Sequence, residues 1–409
     1  MKKFNHYIVE SKNTHMEHLE DMIFNEGVVG TRKAINFLRD LRDMLAGSAN
    51  SRISRTVKWD GAPAVFAGID PSDGKFFVAK KGVFNKNPKV YKTPADVKAD
   101  TSGDLQKKLL VALEEFSKLG IKSGVYQGDL MFTKGDVSRE TIDGEKYFTF
   151  QPNTIVYAVP VNSQLGKEIS RARIGIVWHT TYTGSSFESM SASFGKDIAS
   201  TFNSPAGVWM TDATYKDVTG NATFTSKETD RITKVLSAAG QTFRKVPGRL
   251  LDEFKNNSEL QLRTKTYNNT FVRAGRSFNE KSHTKGLMEY IYNYYQKNID
   301  EKKTEKSKEA WRAKQKDAMS VFSRYKKQDI DNVWRLMNLL IEAKEMVVNK
   351  MNQASSMATF VRTRNGFRVT DQEGFVAIDH LSNEAVKIVN RLEFSRANFS
   401  PDVIKGWEK

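Results

Sequence analysis

The residues best suited to chemistry in this chain are Lys58-Trp59-Asp60-Gly61, an amine followed at short spacing by an acid and a glycine. A lysine so placed is a candidate nucleophile toward a nucleotide α-phosphate, and it would leave that reaction carrying the nucleotide. K-x-D-G arises by chance in roughly one in ten chains of this length, so the four residues count only with partners, and the chemistry says what those must be. An amine attacks when neutral, whereas a lysine with an ordinary pKa near 10 is almost wholly protonated at pH 7. Nearby cations lower that pKa, and Lys80, Lys81 and Lys387 are the candidates. The same cations would neutralise charge building on the phosphate. Asp129 and Glu373 are the acids expected to hold a divalent metal, Mg2+ or Mn2+, that clamps the phosphate and orients the leaving pyrophosphate. Asp60 can fix a ribose hydroxyl or act in later steps, and Gly61 lets backbone approach a nucleotide closely.

These residues sit in short segments that read as strands. Thr56-Val57-Lys58-Trp59-Asp60-Gly61 ends an apolar-alternating run, and Phe77-Val78-Ala79-Lys80-Lys81-Gly82 is a strand followed by cations. Val125 to Phe132 is an apolar strand interrupted by Gly128 and Asp129. Ile174 to His179 carries Trp178, Glu373-Gly374-Phe375-Val376 begins another strand, and Ala385 to Val389 bears Lys387. In content and order these segments resemble the motifs of ATP-dependent polynucleotide ligases and related capping enzymes, the covalent nucleotidyltransferases. A compact, basic chain of this kind is similar to ligases encoded by large tailed phages.

The resemblance implies catalytic roles for Lys58, Asp60 and Lys387, and nucleotide contacts from Thr56, Val57, Gly61, Lys80, Lys81, Asp129 and Trp178, the last stacking on adenine. It also implies ATP as nucleotide donor and a metal at Asp129 and Glu373. The expected reaction seals a 5′-phosphate to a 3′-hydroxyl on nicked duplex DNA or an RNA/DNA hybrid. An RNA-end ligase or a capping-type guanylyltransferase would share these motifs, and a non-catalytic basic nucleic-acid-binding protein would keep the charge without the chemistry. The chain departs from the family pattern at Lys80-Lys81, where Arg is usual, at Asp129, where Glu is commoner, and at Pro63, where Arg is frequent. Its last motif offers one lysine, Lys387, with Val389 at the second place, so Arg391 or Lys405 would have to substitute.

Composition bounds the rest. The chain has 409 residues, enough for two or three domains. It carries 64 Lys and Arg against 48 Asp and Glu, a formal charge of +16 that suits a polyanionic partner such as nucleic acid. With no cysteine there is no disulfide framework, zinc finger or thiol nucleophile. No apolar run reaches the 18 residues of a membrane span and the start lacks a leader's apolar core. A soluble, cytoplasmic monomer is expected, in the host cytoplasm if the chain is phage-encoded.

Along the chain the pattern predicts an α+β fold: an antiparallel-sheet nucleotidyltransferase core with N-terminal helices, a large helical insertion and no C-terminal OB-fold. Residues 1–55 read as helices parted by Gly27 and Gly30, residues 56–183 as the first part of the core with one helix near Leu105 to Leu119, and residues 359–409 as its second part. Trp178 and Glu373 are 195 residues apart, too far for a loop, so residues 184–358 are expected to form an inserted, mainly helical domain that opens on an irregular connection to about 225. Within it, Arg263 to Arg276 interleaves cations, aromatics and amides in a loop-like context. Arg263, Lys265, Tyr267, Arg273 and Arg276 are its expected nucleic-acid contacts. Residues 301–327 carry ten Lys and Arg against four Asp and Glu and read as a solvated helix. His15 and His18 lack a third ligand at matching spacing and are expected to be structural or to face substrate.

Overall fold

The computed structural model describes residues 18–47, 53–194, 197–214, 223–353, 357–379 and 385–408. The fold mixes α-helices with mainly antiparallel strands. Helix α1 (Met22–Leu45) buries Ile23, Ala34, Ile35, Leu38, Leu41 and Leu45 along one stripe. Gly27 breaks this helix at φ 61°, where a Cβ would fall 2.5 Å from Asp252 Oδ1. Strand β1 (Ile53–Lys58) follows, then β2 (Ala64–Ile69), β3 (Phe76–Ala79), α2 (Pro94–Asp100), α3 (Gly103–Phe116) and β4 (Val125–Thr133). Next come β5 (Ser138–Ile142), β6 (Glu145–Phe150), β7 (Ile155–Pro160), α4 (Gln164–Arg171), β8 (Ile174–Thr183), β9 (Ser191–Phe194) and β10 (Val208–Asp212).

The helical block comprises α5 (Ser226–Lys245), α6 (Gly248–Asn256), α7 (Ser258–Arg273), α8 (Glu280–Asp300), α9 (Glu305–Arg324) and α10 (Lys327–Asn352). Strands β11 (Ala358–Thr363), β12 (Gly366–Val369), β13 (Gly374–Asp379) and β14 (Ala385–Ile388) follow, and a short helix, Arg396–Phe399, comes after them. No described helix is long and apolar enough to cross a membrane.

The described residues divide into two compact units, one within Trp59–Tyr215 and Lys405–Lys409, the other within Glu17–Lys58 and Lys216–Ile404. The N-terminal helix, the helical block and the returning strands therefore belong to one unit, where the sequence pattern had suggested a separate insertion. The reason is non-local: α1 packs on α5, α6 and α10, and β1 pairs with β13.

In the first unit a six-stranded sheet runs β10-β8-β4-β2-β3, with β9 on β8. One face buries Val65, Ala67, Val78, Leu130, Ile174, Ile176 and Trp178 against Leu109, Ala112, Leu113 and Phe116 of α3. The other face buries Phe66, Phe77, Ala79, Val125 and Tyr182. Tyr182 is an even number of residues from Trp178 and should share its face. It does not, because β8 carries an extra residue: Thr180 pairs with Gln127 and Trp178 with the next residue, Gly128, leaving His179 as a β-bulge. Strand β10 lies in the stretch expected to be irregular and pairs parallel to β8, with Val208 buried.

In the second unit α10 is the central helix, burying Ile330, Val333, Trp334, Met337, Leu340, Ala343 and Val347. His283 of α8 is also buried, its ring 4.1 Å from Phe278 and 4.7 Å from Trp334, with Nε2 2.8 Å from Asn268 Oδ1. Burial lowers its pKa to about 3. The unfolded chain takes up this proton near pH 6.5 and the folded one only near 3, so the stability it confers is full above 6.5 and is lost as pH falls through that window. At about 1.4 kcal/mol per pH unit, unfolding free energy should drop by about 2 kcal/mol from this group between pH 6.5 and 5. Urea titrations at the two pH values check this, and His283→Phe should remove this share of the dependence while leaving that of His18, whose pKa is lowered to about 3 as well.

Candidate active site

Three strands of the second unit position Lys58, Glu373 and Lys387. In the β1-β13 pair Thr56 lies opposite Val376, Val57 opposite Phe375 and Lys58 opposite Gly374, and in the β13-β14 pair Val376 lies opposite Lys387. Directly opposed residues share a face and faces alternate along a strand. Lys58 and Lys387 therefore occupy one face, while Val57 falls on the other with Phe375 and Ile388. The side chain of Thr56 lies outside the described residues. Lys58 Nζ donates to Glu373 Oε1 in an ion pair whose side chains are 24% and 13% exposed. Gly374 takes φ 138°, and a Cβ there would lie 2.7 Å from Ile388 O. The glycine after Glu373 is thus required by the close approach of β14.

Lys387 bridges His18 along the backbone. Burial lowers the His18 pKa to about 3, assisted by the charges of Arg391, Lys344 and Lys387, so this histidine is neutral in the fold. His15 lies outside the described residues. Beside His18 is a buried ionic network. Lys344 Nζ donates to both carboxylate oxygens of Glu20 at 2.8 Å, both side chains being 1% exposed. Arg391 reaches Asp21 at 3.2 Å, Glu20 at 3.5 Å and Asn269 at 2.5 Å. Burial alone would raise the Glu20 pKa, but Lys344 and Arg391 hold it down at about 2. Arg391 is committed to this network, which removes it as the stand-in for a second motif lysine.

In the first unit Gly61 lies against Asp129. A Cβ on Gly61 would fall 2.6 Å from Asp129 Cβ, because the segment 61–63 runs beside β4, with Ala62 N donating to Leu130 O and Leu130 N to Pro63 O, both at 3.0 Å. The glycine thus has a steric reason of its own, apart from any nucleotide. Asp129 is partly exposed, and His179 Nε2 stands 3.7 Å from its Oδ1. The bulge in β8 aims this histidine, which sequence reasoning passed over because an extra residue in a strand leaves no periodic signal.

Asp60 is 3% exposed, and its carboxylate accepts from Asn153 Nδ2 at 2.7 Å and from the backbone N–H of Thr154 and Ile155 at 2.6 and 2.8 Å. Its own N–H donates to Tyr157 Oη at 2.8 Å. Asp60 therefore pins the segment after Lys58 to the start of β7. Asp60→Ala would leave two buried N–H groups unpaired and should cost about 3 kcal/mol, read as a lowered urea midpoint. Lys405, the other proposed stand-in, is buried near Asp60, and burial lowers its pKa.

Trp178 corrects the sequence expectation. It is fully buried, its ring 5.5 Å from Phe116 and 5.7 Å from Phe202, so neither face is open to adenine. Lys80 donates to Asp100 at 3.1 Å in a network with Lys89 and Tyr91, and the hydrogen bond with Tyr91 raises its pKa. Lys81 is exposed at the start of a short 3-10 turn.

A family model described as "Family of unknown function (DUF6267)" matches residues 13–402. The chain belongs to this family. No curated protein and no solved structure matches it.

In this DUF6267 protein the stretch expected to be a nucleic-acid-binding loop is helix α7. Its buried stripe is Leu260, Thr264 and Asn268, a four-residue repeat hidden from hydropathy because two of its members are polar. Arg263 stacks on Tyr294 at 4.0 Å. Tyr267 packs against His283 at 4.8 Å and Tyr290 at 5.3 Å, which makes it part of an aromatic cluster instead of an open platform. Arg276 lines a cavity with Phe271 and Phe278 that Glu20, Lys344 and Arg391 of the buried network also border, and Lys265 and Arg273 lie on α7. Among the described residues no group of three or more His, Cys, Asp or Glu gathers as metal ligands. A Mg2+ that arrives on nucleotide phosphates asks only one or two carboxylates of the protein. Asp129 in the first unit, beside His179, and Glu373 in the second, paired with Lys58, are each partly exposed.

Proposed function

We propose that the protein is an ATP-dependent polynucleotide ligase acting through a lysine–AMP intermediate. The observation that carries the reading is the pairing of Lys58 with Glu373 across residues 315 apart in sequence, with Lys387 on the same sheet face. A lysine amine, a carboxylate and a second cation thus lie on or beside three paired strands.

Lys58 Nζ attacks the α-phosphorus of ATP, a P–N bond forms as the bond to the bridging oxygen of the β-phosphate breaks, and pyrophosphate leaves. A 5′-phosphate oxygen of the nucleic acid then displaces Lys58, and a 3′-hydroxyl displaces AMP to seal the strand. Mg2+ or Mn2+ bound with the nucleotide would neutralise phosphate charge. Lys58, held as an ammonium by Glu373, has to leave that ion pair and give up a proton before its amine can attack, so nucleotide entry is coupled to its release. Positioning and charge account for most of the catalysis expected. Adenine recognition falls to residues other than Trp178.

The test is incubation of the protein with α-labelled ATP and, separately, α-labelled GTP in Mg2+, followed by denaturation. Label retained from ATP supports the ligase. Label from GTP alone would turn the reading to a capping-type enzyme. No label from either would sink it in favour of a non-catalytic nucleic-acid-binding protein.

A further inference from the structure

Helices α1 and α5 flank an open cleft of about 280 Å³ lined by Arg32, Asn36 and Arg39 of α1 and by Gly240, Phe243 and Arg244 of α5. No acid lines it. All three arginines are exposed, and among the described residues none is hydrogen-bonded or ion-paired to a carboxylate. Neighbouring cations on α1 are treated differently: Lys33 pairs with Glu26 at 2.8 Å and Arg42 with Asp43 at 2.7 Å. Three guanidinium groups gathered without a counter-charge repel one another, and an anion between them removes that cost.

The spacing selects the anion. Arg32 and Arg39 are seven residues apart on one face of α1, about 10 Å along the axis, too far for one phosphate to bridge. A nucleic-acid strand, with a phosphate about every 3.4 Å of rise, presents several over that length. Guanidinium forks match phosphate oxygens, and half-buried Phe243 offers ring surface to a sugar or base. Gly240 adds no side chain to the cleft beside Arg39, whose Nη2 is 3.4 Å from where a Cβ would stand. The surrounding sequence agrees, since residues 216–404 carry 34 Lys and Arg against 23 Asp and Glu, a surplus of 11 within the chain's +16.

We propose that the α1-α5 cleft binds the phosphodiester backbone of the nucleic-acid substrate through Arg32, Arg39 and Arg244. This rests on the nucleic-acid partner of the ligase reading and adds where that partner is gripped. The test uses the full chain and a fluorescein-labelled, nicked 30-base-pair DNA duplex, with its RNA counterpart in parallel, titrated by anisotropy across a series of NaCl concentrations. The triple variant Arg32→Gln/Arg39→Gln/Arg244→Gln should bind at least tenfold more weakly at low salt. Its slope of log K against log salt should shrink by about 0.9 for each lost phosphate contact, or about 2.7 in all. Removing the same charge from exposed positions of α9 with Lys306→Gln/Lys314→Gln/Lys316→Gln should change the slope by less than a third as much.

An unchanged slope in the arginine variant would overturn the proposal. So would an equal change in the α9 variant, which would mean diffuse attraction, or failure of the parent to bind either duplex. Should the triple variant melt early, Arg244→Glu alone at the exposed end of α5 gives the same reading. Retention of label from ATP is scored separately: a lost slope without labelling would sink the ligase and keep the cleft, and labelling with an unchanged slope would do the reverse.

Discussion

Lys58→Ala should abolish retention of label from α-labelled ATP, because no other group at that position can form the P–N bond. Lys58→Arg separates chemistry from charge. A guanidinium keeps the positive partner for Glu373, yet it stays protonated at any working pH and cannot serve as the nucleophile. Both variants should be unlabelled, and the arginine variant should retain the parental melting temperature. With side chains 24% and 13% exposed, the pair is largely buried, so Lys58→Ala leaves Glu373 without its counter-charge and should lower the melting temperature, at a cost below the roughly 3–5 kcal/mol of breaking a fully buried pair, whereas Lys58→Arg keeps the charge. Label on Lys58→Arg would place the nucleotide on another residue and end the assignment.

A comparable loss, in stability this time, is expected of Lys344→Met. Lys344 and Glu20 are each 1% exposed and bonded through both carboxylate oxygens. Removing the lysine strands a buried carboxylate whose remaining cation, Arg391, is 3.5 Å away and shared with Asp21. Breaking one side of such a pair costs about 3–5 kcal/mol, whereas replacing both sides with neutral groups of similar size is often tolerated. Glu20→Gln/Lys344→Met should therefore recover most of the loss, giving a large coupling in a double-mutant cycle by urea unfolding. Additive single costs would show that the two groups act independently. The Glu20 pKa of about 2 adds a pH signature: its contribution is complete above about pH 4.5 and drains away as pH falls toward 2.

How much of this could be read beforehand varied with how local each signal was. Lys58, Glu373 and Lys387 were legible because each lies in or beside a short strand with its own alternation, and pairing those strands brings them together. Helices α5, α8 and α10 were legible from apolar stripes such as Leu287, Ile291, Tyr295 and Ile299. Helix α7 was not, since Thr264 and Asn268 hold core positions. Strand β10 was hidden by its brevity among Ser, Thr and Gly. Trp178 was placed on the right strand with the wrong neighbours, because a strand apolar on both faces does not say which face meets which layer. Glu20 and Lys344 are 324 residues apart, and no local pattern announces such a pair. The arginine cleft joins two helices whose partnership is likewise invisible until they pack.

The extra residue in β8 also limits how this stretch can vary. Side chains there can be exchanged one for another, but the count cannot change cheaply: deleting His179 would restore an unbroken pleat and send Tyr182 toward the layer of α3, pulling its ring from Phe66 and Phe84. Relatives that conserve this sheet should therefore align through the strand without a gap even where they share few letters.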